Sequence, residues 1–375
     1  MRPGAENGGP RACSAPGASQ EPDARPRPSG RGKIVVYLSP GEFFAKGPSH
    51  LFPLTANYRS MFIGHGLLAF AVVAGLASIA GWNAERALAV GLLAGAFGLA
   101  PDVDILYAPV GLLGVDGLVE AETAFWAAGN AVHRGVTHSL LVGGAAAAAA
   151  GLWAAGTGPA RALAAAIAAG IIAVGAGDGL LAAVILAAFV ATVFAIGSVG
   201  TRRAIAARHV GAAAAVGLLS HPFGDLFTGG PPAFLYPLDV TLVATRVVLH
   251  PDPTVHLLAA FGLEVATMWA AAVVYLHATD RRMVDYVSPH ATLGLAFAGA
   301  ALLLPPPSLD APYRFVFGAL GVGAVSGIGT HPRNWRRLLT TDPDGRPLTA
   351  LGAALTALAA LTAALVGYGA LYLML

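Results

Sequence analysis

The sequence predicts an all-α, polytopic transmembrane bundle of about ten spans, give or take about two. Three observations carry that expectation. The chain has 375 residues, of which 56% are hydrophobic and 11% charged, whereas about 25% charged is usual for a soluble domain. Its 48 glycines, with many alanines, let helices approach closely in lipid. From Met61 onward, long apolar runs alternate with short polar breaks. The net charge of +2 is too small for a nucleic-acid-binding footprint, and the single Cys13 excludes an internal disulfide or a thiolate metal cluster.

Residues 1–60 differ from the rest of the chain. Arg2 to Lys33 is rich in Pro, Gly, Arg and Ser without apolar periodicity, which predicts disorder. Ile34 to Leu38 is too short for a signal-peptide core. The abrupt start of the membrane pattern at Met61 suggests that translation begins there and that the first 60 residues are absent from the natural product. Residues 61–254 then form a membrane domain carrying the polar motifs, and 255–375 add further transmembrane helices.

The apolar runs cover 62–80, 87–101, 139–155, 160–176, 179–198, 204–221, 255–277, 291–304, 314–330 and 349–374. Runs 87–101 and 291–304 are shorter than the roughly 17 residues of a minimal span, so they tilt, extend into their flanks or form half-helices. Residues 105–132 are amphipathic at best and 222–254 are rich in Pro and Gly, which predicts loops or re-entrant segments. No internal repeat is evident.

Four polar clusters interrupt these runs: His65, the Asp102/Asp104 pair, His133 to His138, and His221 with Asp225. If every run crosses the bilayer, an even number of crossings separates each cluster from the next, so all four share one face. Of the fourteen arginines after Met61, eleven fall in loops on the opposite face, and only Arg134, Arg246 and Arg314 share the clusters' face. The positive-inside rule assigns the Arg-rich loops to the cytoplasm and the clusters to the extracytoplasmic side of an inner or plasma membrane.

Imidazole and carboxylate suit zinc, manganese or iron, and such costly groups are seldom kept in a membrane protein without a use. Asp102 and Asp104, two residues apart after Pro101, converge on one cation if the backbone is extended or turning. In His133-Arg134-Gly135-Val136-Thr137-His138-Ser139, Gly135 permits a turn that brings both histidines inward, and Thr137 or Ser139 caps the next helix. The Arg134 guanidinium could hold a phosphate or stabilise developing negative charge. His221 and Asp225 share a helical face if the helix persists past Pro222 and Gly224; Asp225 then either ligates metal or orients His221. Glu264 lies deep in an apolar run, as an interhelical hydrogen-bonding group or a proton relay. The remaining histidines are expected at the interfaces, and Asp239 and Asp252 have no evident partner.

At these residues the sequence resembles the YdjM family, described as LexA-regulated, membrane-bound, metal-dependent hydrolases. The family pattern is an early His, a Gly-rich run ending in Leu-Pro-Asp-Ile-Asp-His, a His-Arg-Gly-x-Thr-His-Ser segment, and a later His-x-x-x-Asp followed by Leu and Thr. The matching residues are His65, Ala100-Pro101-Asp102-Val103-Asp104, His133 to Ser139, and His221 to Thr228, over about 61–240. Ile105 stands where the family often has His, and Pro222 and Gly224 replace helix-favouring residues.

The resemblance implies a divalent metal, zinc or manganese, held by some of His65, Asp102, Asp104, His138, His221 and Asp225. Arg134, His133 and Asp225 are then the catalytic side chains. A zinc site with three protein ligands and a water leaves a surplus of groups, which could bind a second metal or serve as base and supporting shell. The implied reaction is hydrolysis of an ester or phosphoester at the headgroup level, with the lipid bilayer as partner and a lipid-linked molecule as substrate. The rival reading is a cation or proton transporter using the His/Asp cluster and Glu264. A third is a non-enzymatic scaffold in which the clusters only cap helices.

Overall fold

A computed structural model describes residues 64–115, 117–309, 312–329 and 348–375. The expectations for residues 1–60, His331 and the arginines at 333–346 lie outside the described residues. The described residues form helices and connecting turns, with no strand among them, and all belong to one unit. In chain order the helices are α1 (Gly64–Ile79), α2 (Ala84–Leu99), α3 (Leu118–Val132), α4 (Leu140–Ala155), α5 (Gly158–Asp178), α6 (Leu180–Arg202), α7 (Ala207–Gly224), α8 (Pro253–Ala278), α9 (Tyr313–Gly329) and α10 (Leu348–Met374). Between α8 and α9 lies a largely 3-10 segment, Pro289–Leu303.

Each predicted apolar run is helical, but the count of about ten spans does not follow. Among the described residues, six helical stretches are long and apolar enough to cross a membrane: Ala84–Leu112, Gly158–Asp178, Leu180–Arg202, Ala207–Phe227, Pro253–Ala278 and Ala350–Met374. Gly64–Ile79, Leu140–Ala155, Pro289–Leu303 and Tyr313–Ile328 are shorter apolar helices. Residues 105–132 also depart from the loop expectation. α2 runs on as a 3-10 helix, Ala100–Leu112, which packs against α3.

The helix ends follow local chemistry. The Asn83 side chain accepts a hydrogen bond from the Arg86 N–H, and Thr157, ahead of Pro159, accepts one from Ala160. Gly156 closes α4 at φ 77°, and Gly179 at φ 124° separates α5 from α6. Asp252, for which the sequence offers no evident partner, caps α8 by accepting from the Thr254 and Val255 N–H groups and also from the Tyr372 hydroxyl. The Val255 N–H, foremost among these, holds its carboxyl below the usual carboxylate range.

Packing gathers around two apolar clusters. One joins α2, α4, α5, α6 and α7 through Phe97, Leu186, Phe189 and Leu218; the other joins α8, α9 and α10 through Leu257, Phe261, Phe315, Leu361 and Tyr368. Phe70 and Ala74 of α1 meet Ala271 of α8 and tie the two together. α2 and α7 approach so closely that a Cβ on Gly217 would come within 2.8 Å of Ala94 O, Gly98 N and Phe97 Cβ. Gly144, by contrast, faces open space.

Gly217→Ala is therefore expected to cost about 1–3 kcal/mol through overpacking, whereas Gly144→Ala is neutral or gains about 0.5–1 kcal/mol of helix propensity. Thermal unfolding in detergent checks this pair, and equal Tm values for the two variants would refute the α2–α7 contact.

Candidate metal centre

The four polar clusters converge, as the parity of the apolar runs predicts, because four helices end at the same place. α1 begins at His65, α2 ends before Asp102, α4 begins just after His138, and α7 ends at Gly224 beside Asp225. Ser139, rather than Thr137, caps α4: its hydroxyl accepts from the Leu141 and Val142 N–H groups and donates to Tyr236 O at 2.7 Å. α7 persists through Pro222, so His221 and Asp225 do share a face, with Nε2 and Oδ2 3.7 Å apart.

Four atoms face one point. His138 Nε2 lies 3.0 Å from His221 Nε2, 3.7 Å from Asp102 Oδ1 and 3.2 Å from Asp225 Oδ2. His221 Nε2 lies 3.4 Å from Asp102 Oδ1. Donors bonded to one tetrahedral cation at about 2.0–2.1 Å stand about 3.3–3.4 Å apart. The observed separations straddle that value.

Hydrogen bonding at the far side of each ring fixes what the near side offers. His221 Nδ1–H donates to the Gly98 carbonyl at 2.7 Å, so its Nε2 carries a lone pair. The Thr137 hydroxyl spends its proton on Asp104 Oδ2 at 2.8 Å, so it accepts from His138 Nδ1–H at 2.9 Å. His138 Nε2 is thereby a lone-pair donor too. Two imidazole lone pairs and two carboxylates converging in a buried space repel one another unless a cation sits among them. Asp102 and Asp225 bring carboxylates to the same place, and Arg134 pairs with Asp225 from outside. The donor set is therefore fitted to a divalent N/O-ligated metal.

The other predicted residues stand one layer out. Asp104 has both oxygens engaged, Oδ1 accepting from His133 Nδ1–H at 3.0 Å and Oδ2 from Thr137. His133 Nε2 is buried without a partner. The Arg134 guanidinium lies 3.2 Å from Asp225 Oδ1 and donates to Thr228 Oγ1 at 2.8 Å and to the Gly230 carbonyl at 3.4 Å, while its Nε is unpartnered. Arg134 adopts φ 65°, a left-handed conformation costly for a side chain of its size, so the surrounding structure holds it there. His65 Nε2 lies 3.5 Å from Asp225 Oδ1, and its ring meets that of His221 at 4.2 Å. Gly224 makes this possible, because a Cβ there would collide with the His65 ring.

Glu264 acts locally, its Oε1 accepting from the Gly64 N–H at 2.6 Å and so capping α1 from the middle of α8. His256 is not interfacial as expected but buried, where its Nδ1 accepts from the Leu249 N–H. Two features of the site escape sequence reasoning. One is the Gly98 carbonyl, which no side-chain pattern announces; the other is the Tyr236–Asp178 hydrogen bond, which holds the 228–237 loop against the end of α5. Burial and the Asp178 carboxylate push the Tyr236 phenol above its ordinary value.

The family model described as YdjM inner membrane protein matches residues 61–284, more than half of the chain. No curated protein and no solved structure matches it.

Arg134→Gly would relieve about 1 kcal/mol of backbone strain but strip the buried Asp225 of its partner, at about 3–5 kcal/mol. Net destabilisation is expected in thermal unfolding; a variant as stable as wild type would show that the ion pair contributes nothing. Gly224→Ala should likewise displace His65 and cost about 1–3 kcal/mol, which the same measurement reads.

Proposed function

The chain belongs to the YdjM inner membrane protein family, and from that premise we propose that it is a membrane-embedded, metal-dependent hydrolase of an ester or phosphoester. The observation that supports this best is the convergence of His138 Nε2, His221 Nε2, Asp102 Oδ1 and Asp225 Oδ2, all offering electron pairs to one point. Two nitrogen and two oxygen donors suit zinc or manganese. A divalent ion there supplies Lewis acidity and acidifies water towards a pKa of about 7.

The chain's own residues do the rest. Gly98 and the Asp104–Thr137 pair hold the two imidazoles in the tautomer that presents Nε2. His133, with Nδ1–H on Asp104, has an unpartnered Nε2, and we assign it the role of taking a proton from water. The water oxygen bonds to the substrate's carbonyl carbon or phosphorus, and the bond to the leaving oxygen breaks. The proton held on His133 passes to that leaving oxygen. Arg134 steadies Asp225 and keeps its Nε–H for the developing negative charge. Asp104, first expected among the ligands, fits better as the group that orients His133 and His138, and His65 stands beside Asp225 as a further candidate ligand.

Transport through Glu264 would require its release from the Gly64 N–H, which counts against that part of the rival reading. Arg86, Arg202, Arg203, Arg208, Arg281 and Arg282 all lie at or beyond helix ends remote from the cluster, which supports an extracytoplasmic site.

Metal analysis of purified protein should find about one ion per chain in wild type and none in folded His138→Ala or His221→Ala. Asp104→Asn should keep the metal with affinity lowered about 10–100-fold. His133→Gln should keep it with hydrolysis slowed about 100- to 10,000-fold. Wild type without stoichiometric metal after metal-replete purification would end this reading.

A further inference from the structure

Where α4 crosses α7, small residues leave a trough on the outside of the bundle. Gly151 and Gly211 form its floor, for a Cβ on either would come 3.3–3.4 Å from the other's Cα. Gly144, Ala148 and Ala155 of α4 line it with side chains too small to fill it, and Leu219 of α7 lies at its inner end. The trough holds about 430 Å³, within the range of roughly 300–1,000 Å³ usual for small-molecule sites. A Cβ on Gly144 would meet nothing within 4 Å, so the trough is open there.

Its length matches a leaflet. It runs about 18 Å along α7 from Ala207 to Leu219, and about 17 Å along α4 from Ala155 to Gly144. One leaflet of a hydrocarbon layer about 30 Å thick is about 15 Å deep. The long axis therefore suits an acyl chain lying along the helices.

Charge marks the outer mouth. Arg208 is the one charged residue in the lining, and it stands where α7 begins, on the arginine-rich face. Its Nε–H donates to His209 Nε2 at 3.3 Å; the His209 ring meets the Trp82 edge at 4.8 Å, and Arg86 lies over Trp82 at 4.4 Å. Arg202 and Arg203 close α6 just before this point. Among the described residues, no carboxylate pairs with any of these four arginines. α7 also starts at Ala206 without a side-chain cap, which leaves the positive end of its dipole at the same mouth.

An apolar trough one leaflet deep, with unpaired cations at its headgroup end, is complementary to one class of molecule. We infer that the α4–α7 trough binds a phospholipid with an anionic headgroup, its phosphate beside Arg208 and an acyl chain over Gly211 and Gly151. Basic sites between helices at a membrane boundary recognise such headgroups. A second copy of the chain fits less well. Packed about an axis along the bilayer normal, it would bring two Arg208 groups to one level with no carboxylate to separate them.

Native mass spectrometry of delipidated protein tests this with phosphatidylglycerol and phosphatidylcholine of identical acyl chains. The first lipid bound to wild type should favour phosphatidylglycerol about five-fold or more, the effect of one basic group at a membrane surface. Arg208→Gln should weaken phosphatidylglycerol about five-fold and leave phosphatidylcholine as it was. Gly144→Leu, whose side chain enters the open trough, should lose the first binding step for both lipids. Equal binding of the two lipids by wild type would overturn the proposal, whichever variant folds. Unchanged phosphatidylglycerol binding by either folded variant, or displacement of the lipid by inorganic phosphate alone, would do the same. So would a disulfide-linked dimer of Gly144→Cys in a Cys13→Ser background, which would put a second copy in the trough.

Discussion

Everything at the centre of this molecule follows from one electrostatic constraint: two imidazole nitrogens and two carboxylates lie 3.0–3.7 Å from one another in a largely buried space. Like partial charges so arranged are unstable in a low dielectric unless something positive lies between them. Arg134 answers part of the demand from outside, at Asp225 Oδ1, and leaves the inner face to be satisfied. The strained backbone of Arg134, the hydroxyl relay through Thr137 and the carbonyl of Gly98 are all understandable as fixtures of that arrangement.

The fold supplies the convergence by stopping helices early. α1, α2 and α4 have 16 residues each and α7 has 18, so none is a comfortable span as an α-helix alone. Their ends meet inside the bundle and release side chains that a continuous helix would hold apart. The longer α5, α6 and α8 stand around them. The cost of ending helices within the apolar region is met locally, by Ser139 at α4 and by Glu264 at α1.

Much of this was legible in the sequence. The apolar runs located every long helix, and His133 to Ser139 marked the segment whose two histidines turn inward. The parity of the runs anticipated that four distant clusters share one site. The number of spans was not legible, because hydropathy registers an apolar helix of 16 residues and one of 26 alike, whereas depth depends on where the ends pack. Residues 105–132 read as loop because a 3-10 helix containing Pro109 has no 3.6-residue period to detect. Pro222 and Gly224 read as breakers, yet Gly224 is small so that the His65 ring can lie against it. Asp102 and Asp104 are indistinguishable in sequence; only their partners separate them, since Asp104 spends both oxygens on His133 and Thr137.

The hydrogen bond from the Gly64 N–H to Glu264 reaches across 200 positions of the chain, from the first helix of the motif-bearing half into the first helix beyond it. It makes α8 part of the site's foundation rather than an appendage, although α8 contributes no residue to the cluster. The family match reflects the same boundary: it runs through α8 and stops at residue 284, shortly after that helix ends. The matched stretch is accordingly the site together with the helix whose Glu264 holds the start of α1, and so sets where His65 stands.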